Sequence, residues 1–467
     1  MTLLLTGCFQ LRIHTVRSEG LAALSYLVTS DGEAFVIDPR RDASIYKEIA
    51  ERNGVEIKFI FETHRNEDYV TGSLELQSLV PDCEIAHSNA TKFGFGEHDL
   101  DDGESIAVGK TNVNCIQTPG HTDDSMCYVV SDTTSGPEPI VIFTGDTIFV
   151  NEVGRTDLVD LNKHAEMSRK LYISLTEKIL TLDDGIVIHP GHGAGSVCGG
   201  AIGDREFSTI GYERLHNPWL NMNEEDFIDA KVNQRLTRAP YFKRCEKLNT
   251  DGPPLLNSLE SLVELEIEDF KKLLQDDNHQ AVDTRPAMNF LEGHIPKTIN
   301  LTLTNMGLLT GWSLNSKNSI SLILNEKSDL EEAWSYLVRV GLDNIIGFLR
   351  NGISGWLVKG LELETITRIS IDALRQRITD KSIQVLDIRE PHEFDTEHVP
   401  GSQNLPLTQI GLGNELSLEG GAHAIICPSG NRSTTAASLL KKLDVNDIVV
   451  PLEGIKGWKA RGFPMEA

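Results

Sequence analysis

The C-terminal half of the chain is written twice, and that duplication constrains its fold more than any other feature. Val282-Asp-Thr-Arg285, Phe290-Leu-Glu-Gly-His-Ile-Pro296 and Ile299-Asn-Leu301 return as Leu386-Asp-Ile-Arg389, Phe394-Asp-Thr-Glu-His-Val-Pro400 and Gln403-Asn-Leu405. Each copy closes on a matching tail, Asn351-Gly-Ile-Ser-Gly-Trp356 and Glu453-Gly-Ile-Lys-Gly-Trp458. The copies are about a hundred residues apart, too long for a solenoid repeat and right for tandem domains. Ahead of them, Asp251-Gly-Pro-Pro254 marks a linker. The expected boundaries are residues 1–255 for a first domain, 256–365 for the first copy and 366–467 for the second.

The copies differ where chemistry would occur. In the second, the apolar strand Ala424-Ile-Ile426 runs into Cys427-Pro-Ser-Gly-Asn-Arg-Ser433, with a helix expected from near Thr434. A Cys on a tight loop before a helix meets converging backbone N–H groups and the positive end of the helix dipole, which favour a thiolate or a bound anion. Cys427 is therefore read as a nucleophile and Arg432 as its anion partner. Pro428, Ser429, Gly430, Asn431 and Ser433 form the anion loop, with Gly430 allowing the turn and Ser433 expected to cap the helix. In the first copy, the strand Ile320–Leu324 leads instead to Asn325-Glu-Lys-Ser-Asp-Leu330. No Cys is present there, and Glu326 and Asp329 repel anions, so this copy is expected to be silent.

The first half of the chain carries four polar stops, each after an apolar run. These are Thr63-His-Arg-Asn-Glu-Asp-Tyr69 after Ile57–Phe61, then Thr118-Pro-Gly-His-Thr122, Phe143-Thr-Gly-Asp-Thr147 and Pro190-Gly-His192. Strands that deliver His and carboxylate side chains at their ends are a common way to build a metal site. Paired strands are expected at Ala23–Thr29 and Glu33–Asp38, joined by an Asp31-Gly32 turn. A helix over Asp42–Asn53 would take Asp42 as its N-cap and Gly54 as its stop. Helices over Val70–Val80, Lys163–Ile179 and Glu224–Thr237, and strands at Ser105–Val108, Asn112–Gln117, Met126–Ser131, Ile140–Phe143 and Gly185–Ile188, complete the reading.

Composition sets outer limits. Among 467 residues the formal net charge is −26, which argues against nucleic acid as a partner, since phosphate binding needs clustered Lys and Arg. No apolar run reaches the ~20 residues that span a bilayer. The seven Cys residues include no CxxC pair, which fits a reducing cytoplasm better than a disulfide framework. Leu5-Thr-Gly-Cys8 has too short an apolar core for a signal peptide and is read as a first strand.

The order THxxxD, TPGHT, TGD, PGH resembles the metallo-β-lactamase superfamily. With Gly154-Arg-Thr-Asp157 it is similar to its persulfide dioxygenase branch, relatives of glyoxalase II. Both C-terminal copies resemble rhodanese modules. The resemblance implies an α/β multidomain chain, an αββα sandwich followed by two rhodanese-like α/β domains. The pattern departs at Asn66 and Tyr69, where the superfamily has His. Those losses remove one ligand from each half of a dinuclear site and spare His64, His121 and Asp146, the positions that match iron ligands in persulfide dioxygenases. Two imidazoles and a carboxylate suit non-haem Fe(II) and oxygen chemistry.

The resemblance thus implies one Fe(II) per chain, with zinc as the alternative, and Asp68, Tyr69 and His192 behind the ligands. Arg155 is a candidate contact for an anionic thiol carrier, weighed against an ion pair with Asp157. His189 and Cys198 are read as structural. The expected partners are a low-molecular-weight thiol persulfide, O2, and sulfite or thiosulfate, with no membrane, in a homo-oligomer. Two rivals stay open: a sulfurtransferase or sulfane-sulfur-binding protein with an inactive metal domain, and a glyoxalase II-like thioester hydrolase with two metals.

Overall fold

A computed structural model of the chain describes residues 11–234, 236–411, 418 and 420–467. The expected strand at Leu5–Cys8 lies outside the described residues. The chain packs as two units, residues 1–258 and 259–467.

Among the described residues the first unit contains twelve strands in two sheets. In chain order they are β1 Arg12–Ser18, β2 Ala23–Ser30, β3 Glu33–Ile37, β4 Glu56–Phe61, β5 Glu84–Ser88, β6 His98–Leu100, β7 Ser105–Val108, β8 Thr111–Gln117, β9 Met126–Asp132, β10 Pro139–Gly145, β11 Val187–Pro190 and β12 Ser208–Thr209. The first sheet runs β1 to β6 in order, and the second runs β12 to β7. Alternation sorts their side chains. Tyr26, Phe35 and Phe61 from one sheet meet Val113, Tyr128 and Phe143 from the other in a shared core.

The outer faces are covered by helices, among them α1 Ser44–Asn53, α2 Ser73–Leu79, α3 His164–Ile173, α4 Ile210–His216, α5 Glu224–Asn233 and α6 Phe242–Asp251. Tyr46, Ala50 and Leu76 seal the first sheet, and Leu171, Ile210 and Phe227 seal the second. The result is an αββα sandwich.

Local chemistry explains most boundaries. Asp31 and Gly32 both take positive φ (50° and 84°), which a tight hairpin between right-twisted strands requires. Gly54, at φ 64°, ends α1 as expected. Asp42 does not cap that helix: Ala43 is the preceding residue and makes no side-chain cap, while Asp42 pairs with Arg40 at 3.0 Å. Helix α6 runs up to the linker, where the sequence assigned no element.

The second unit holds the two copies, each a five-stranded parallel sheet. The first has β13 Val263–Leu265, β14 His279–Asp283, β15 Ile299–Asn300, β16 Ser319–Ile323 and β17 Ile345–Leu349 in the order 13-17-16-14-15. The second repeats it with β18 Thr367–Ile369, β19 Gln384–Asp387, β20 Gln403–Asn404, β21 His423–Ile426 and β22 Ile448–Pro451. The repeated letters repeat contacts. Arg285 grips Asp283 as Arg389 grips Asp387, both at 2.6 Å, and His294 stacks on Phe290 as His398 does on Phe394. The copies touch directly, Asn300 N donating to Ser438 Oγ at 3.0 Å.

Candidate metal centre and sulfur-carrying loop

The four stops converge at one edge of the sandwich. β4 leads to His64, β8 to His121, β10 to Asp146 and β11 to His192, and all four side chains are buried. His64 Nε2 and His121 Nε2 lie 3.9 and 3.5 Å from Asp146 Oδ2. Glu67, which the sequence reading did not single out as a ligand, joins them: its Oε2 lies 3.9 Å from His64 Nε2 and 3.4 Å from His121 Nε2. These four atoms are buried and without hydrogen-bond partners. Buried polar atoms are nearly always paired, so four orphans facing one another fit a cation as their missing partner. Donors at about 2.0–2.2 Å from one ion lie roughly 3–4 Å apart, as these do.

The imidazoles are fixed for that role. Thr63 Oγ1 lies 2.9 Å from His64 Nδ1 and donates its own proton to Asp38 Oδ2 at 2.7 Å. It is therefore an acceptor for Nδ1–H, and the lone pair is left on Nε2. Burial lowers the His64 pKa to about 4, keeping it neutral. His121 Nδ1–H donates to the Arg155 carbonyl at 2.9 Å, which leaves Nε2 as the nitrogen that faces Glu67 and Asp146. Burial disfavours His121's charged form, but Glu67 outweighs burial and raises its pKa. Gly145, at φ 48°, admits the Thr63 side chain; a Cβ there would lie 2.3 Å from Thr63 Oγ1.

His192 is spent differently. Its Nδ1 bonds Asp146 Oδ1 at 2.7 Å and its Nε2 bonds Asp68 Oδ2 at 2.9 Å. The two carboxylates outweigh the burial penalty and raise its pKa well above the usual value. Asp68 and His192 thus form a chain behind Asp146, and the Tyr69 ring stands 6.1 Å from His192. Asn66 donates back to the His64 carbonyl at 3.3 Å. Asn249 on α6 clamps the loop, donating to the carbonyls of Asn66 and Tyr69 at 2.7 Å each and accepting from Thr71 N at 2.8 Å.

In the second unit, Cys427 follows β21 and is buried. Gly430 N–H points at its Sγ, 3.1 Å away, from the N-cap position of the helix Asn431–Lys442. That helix begins three residues before the expected Thr434. Ser433 is consequently inside its first turn, not its cap, and its Oγ is buried without a partner. Arg432 forms a bidentate pair with Glu393, both bonds 2.9 Å. Burial disfavours that guanidinium's charge, but Glu393 more than compensates and raises its pKa. In the first copy, Glu326 accepts from the backbone of the following turn and Asp329 accepts from Glu326 N at 3.0 Å. The chain's own carboxylates occupy the donors that an anion would need.

Residues 19–192 match the metallo-beta-lactamase superfamily model, and residues 266–359 and 370–461 each match the rhodanese-like domain model. The human mitochondrial persulfide dioxygenase ETHE1 is 31% identical over 211 residues, covering 44% of this chain and 74% of its own. The chain belongs to the ETHE1 persulfide dioxygenase family. The Bos taurus ETHE1 is 32% identical over 209 residues, 44% of this chain and 72% of that one. A metallo-beta-lactamase structure from Staphylococcus aureus, 28% identical with a TM-score of 0.65, covers 73% of this chain and 98% of its own.

Within this ETHE1-family chain, of the two readings weighed for Arg155 the structure shows the ion pair with Asp157. Its side chain is buried, paired to Asp157 through two 2.7 Å bonds, and donates to the Val197 carbonyl at 3.0 Å. What it gives the site is its carbonyl, to His121. Glu67 lies inside the THxxxD string at one of its unspecified positions, Cys198, whose Sγ–H donates to Glu67 Oε1 at 3.4 Å, is read from sequence as structural, and Asn249 is given no role there. The one available signal was an acidic residue two positions before Tyr69 in a ligand loop. No helix among the described residues is long and apolar enough to cross a membrane.

Proposed function

We propose that the first unit oxidises a low-molecular-weight thiol persulfide to sulfite with Fe(II) and O2, and that Cys427 in the second transfers sulfane sulfur. The observation that carries this reading is the convergence of unpaired His64 Nε2, His121 Nε2 and Asp146 Oδ2 in a buried pocket of an ETHE1-family sandwich. One Fe(II) held there supplies redox chemistry with O2. The overall reaction, RSSH + O2 + H2O giving RSH + SO3²⁻ + 2H⁺, balances without another reductant.

The protein's own part is positioning. Asp38 and Thr63 hold the His64 ring, the Arg155 carbonyl holds His121, and His192 holds Asp146. Burial excludes bulk water from the ligand atoms. At the second site, Cys427 Sγ attacks the outer sulfur of thiosulfate; the new S–S bond forms as the S–SO3 bond breaks and sulfite leaves. A thiolate then takes the sulfane sulfur and returns Cys427. Run in reverse, a Cys427 persulfide gives its outer sulfur to sulfite from the metal centre, forming thiosulfate and returning the thiolate, and tethering the two centres raises sulfite's effective concentration. None of the six described Cys residues is in a disulfide and all are buried, in keeping with a cytoplasmic enzyme.

A dinuclear thioester hydrolase is less well served. Asp68, His192 and Cys198 offer atoms within 4.8 Å of one another, but His192 already spends both nitrogens on carboxylates. The test is metal content and O2 uptake on anaerobically iron-loaded protein given a thiol persulfide. About one iron per chain is expected, with uptake lost in His121→Ala and kept in Cys427→Ser. Absence of bound metal and of uptake, with Cys427-dependent sulfur transfer intact, would leave a rhodanese carried on a retired metal domain.

A further inference from the structure

We propose that Glu67 is a fourth protein ligand, completing a two-imidazole, two-carboxylate set with His64, His121 and Asp146. The inference rests on the metal-binding reading above and concerns the donor set alone. Its first support is equivalence. Glu67 Oε2 stands 3.9 and 3.4 Å from the two imidazole nitrogens, and Asp146 Oδ2 stands 3.9 and 3.5 Å from the same two. By position, the two oxygens cannot be told apart.

The second support is cost. Glu67 is fully buried, and its Oε2 has no hydrogen-bond partner. A carboxylate oxygen buried beside another carboxylate is costly unless a cation is shared between them. Arg155, the nearby guanidinium, is locked on Asp157. The third support is aim. Cys198 Sγ–H donates to Oε1 at 3.4 Å, which leaves Oε2 as the oxygen presented to the imidazoles. Asn66 meanwhile bonds back to the His64 carbonyl, so the donor from this loop comes one residue later.

Two consequences follow for the chemistry. Two carboxylates neutralise a divalent ion, and a donor set with two oxygens suits iron or manganese better than a thiolate-rich one would.

The test uses full-length, metal-stripped protein titrated with Co(II) against a competing chelator. Affinity and the visible ligand-field spectrum are read for the wild type, Glu67→Gln and Glu67→Ala, with His121→Ala locating the site. Thermal melting of each metal-free protein is recorded alongside. Both Glu67 variants are expected to bind at least ~10-fold more weakly with a changed spectrum, while their metal-free melting matches the wild type or exceeds it. Binding within about twofold of the wild type with an unchanged spectrum overturns the inference. So does a wild type whose Co(II) binding is indifferent to His121→Ala. If the Co(II) results hold and no O2 is consumed by the iron form, the dioxygenase reading fails and the ligand assignment stands. If O2 is consumed and the spectra match, the reverse applies.

Discussion

The Arg155 carbonyl accepts a hydrogen bond from His121 Nδ1 at 2.9 Å, so an arginine weighed from sequence as an anion contact or an ion pair acts on the site through its main chain. Its guanidinium is the anchor that fixes that carbonyl. Asp157→Ala would release the anchor and leave a buried cation without its partner. We expect metal affinity to fall ~10- to 100-fold through loss of ring orientation, measured by chelator competition, together with a clear loss of stability.

Asn249→Ala tests the clamp on the ligand loop. Three hydrogen bonds to Asn66, Tyr69 and Thr71 are lost, and two carbonyls and one N–H stay buried. At ~1 kcal/mol or more for each unsatisfied group, the loss is about 3 kcal/mol. It should appear as a lower denaturant midpoint, with metal affinity falling in the same variant.

Lys231 sets a pH dependence. It is buried, 3.7 Å from Glu152 and 4.0 Å from the Trp219 ring centre, and burial lowers its pKa to about 8 against Glu152's opposing pull. A lysine whose folded pKa lies below its unfolded value near 10.5 costs stability while protonated, and the cost is relieved as pH rises from about 8 toward 10.5. The relief is at most ~3 kcal/mol. Comparing wild type with Lys231→Met at pH 7 and 9.5, we expect wild type to gain relative to the variant at the higher pH. An equal response at both would contradict the depressed pKa.

Gly430 holds the Cys427 loop in a shape other residues resist. Its φ is 94°, and an added Cβ would meet the Leu452 carbonyl oxygen at 2.5 Å. Gly430→Ala should destabilise the second unit by about 1–3 kcal/mol and move the N–H that faces Cys427 Sγ. Thiosulfate:thiol sulfur transfer would fall with it, while metal binding stays at the wild-type level.

Much of this was written locally. The four apolar runs ending in His64, His121, Asp146 and His192 gave the ligand-bearing strands, and the doubled Asp-x-Arg and Phe-x3-His strings gave two modules with the same contacts. Those patterns survive in sequence because a strand period, a turn glycine or an i,i+4 stack needs only neighbouring residues. Helix boundaries were less legible: Asp42 had a capping residue's chemistry but a better partner in Arg40, and Ser433 fell inside a helix that begins at Asn431, before the expected Thr434.

What the tertiary structure alone decided is which side chains face one another. Glu67 reads in sequence as one more acid in a polar loop; folding buries it against two imidazoles from different sheets. Asn249, far along the chain, becomes the clamp on that loop only because α6 packs beside it. For Arg155 the sequence left an anion contact and a pair with Asp157 both open, and the fold fills its guanidinium with Asp157. A residue's chemistry is carried by its side chain and can be read in sequence. Whether that chemistry is free or already spent depends on partners brought together through space, and only the fold determines them.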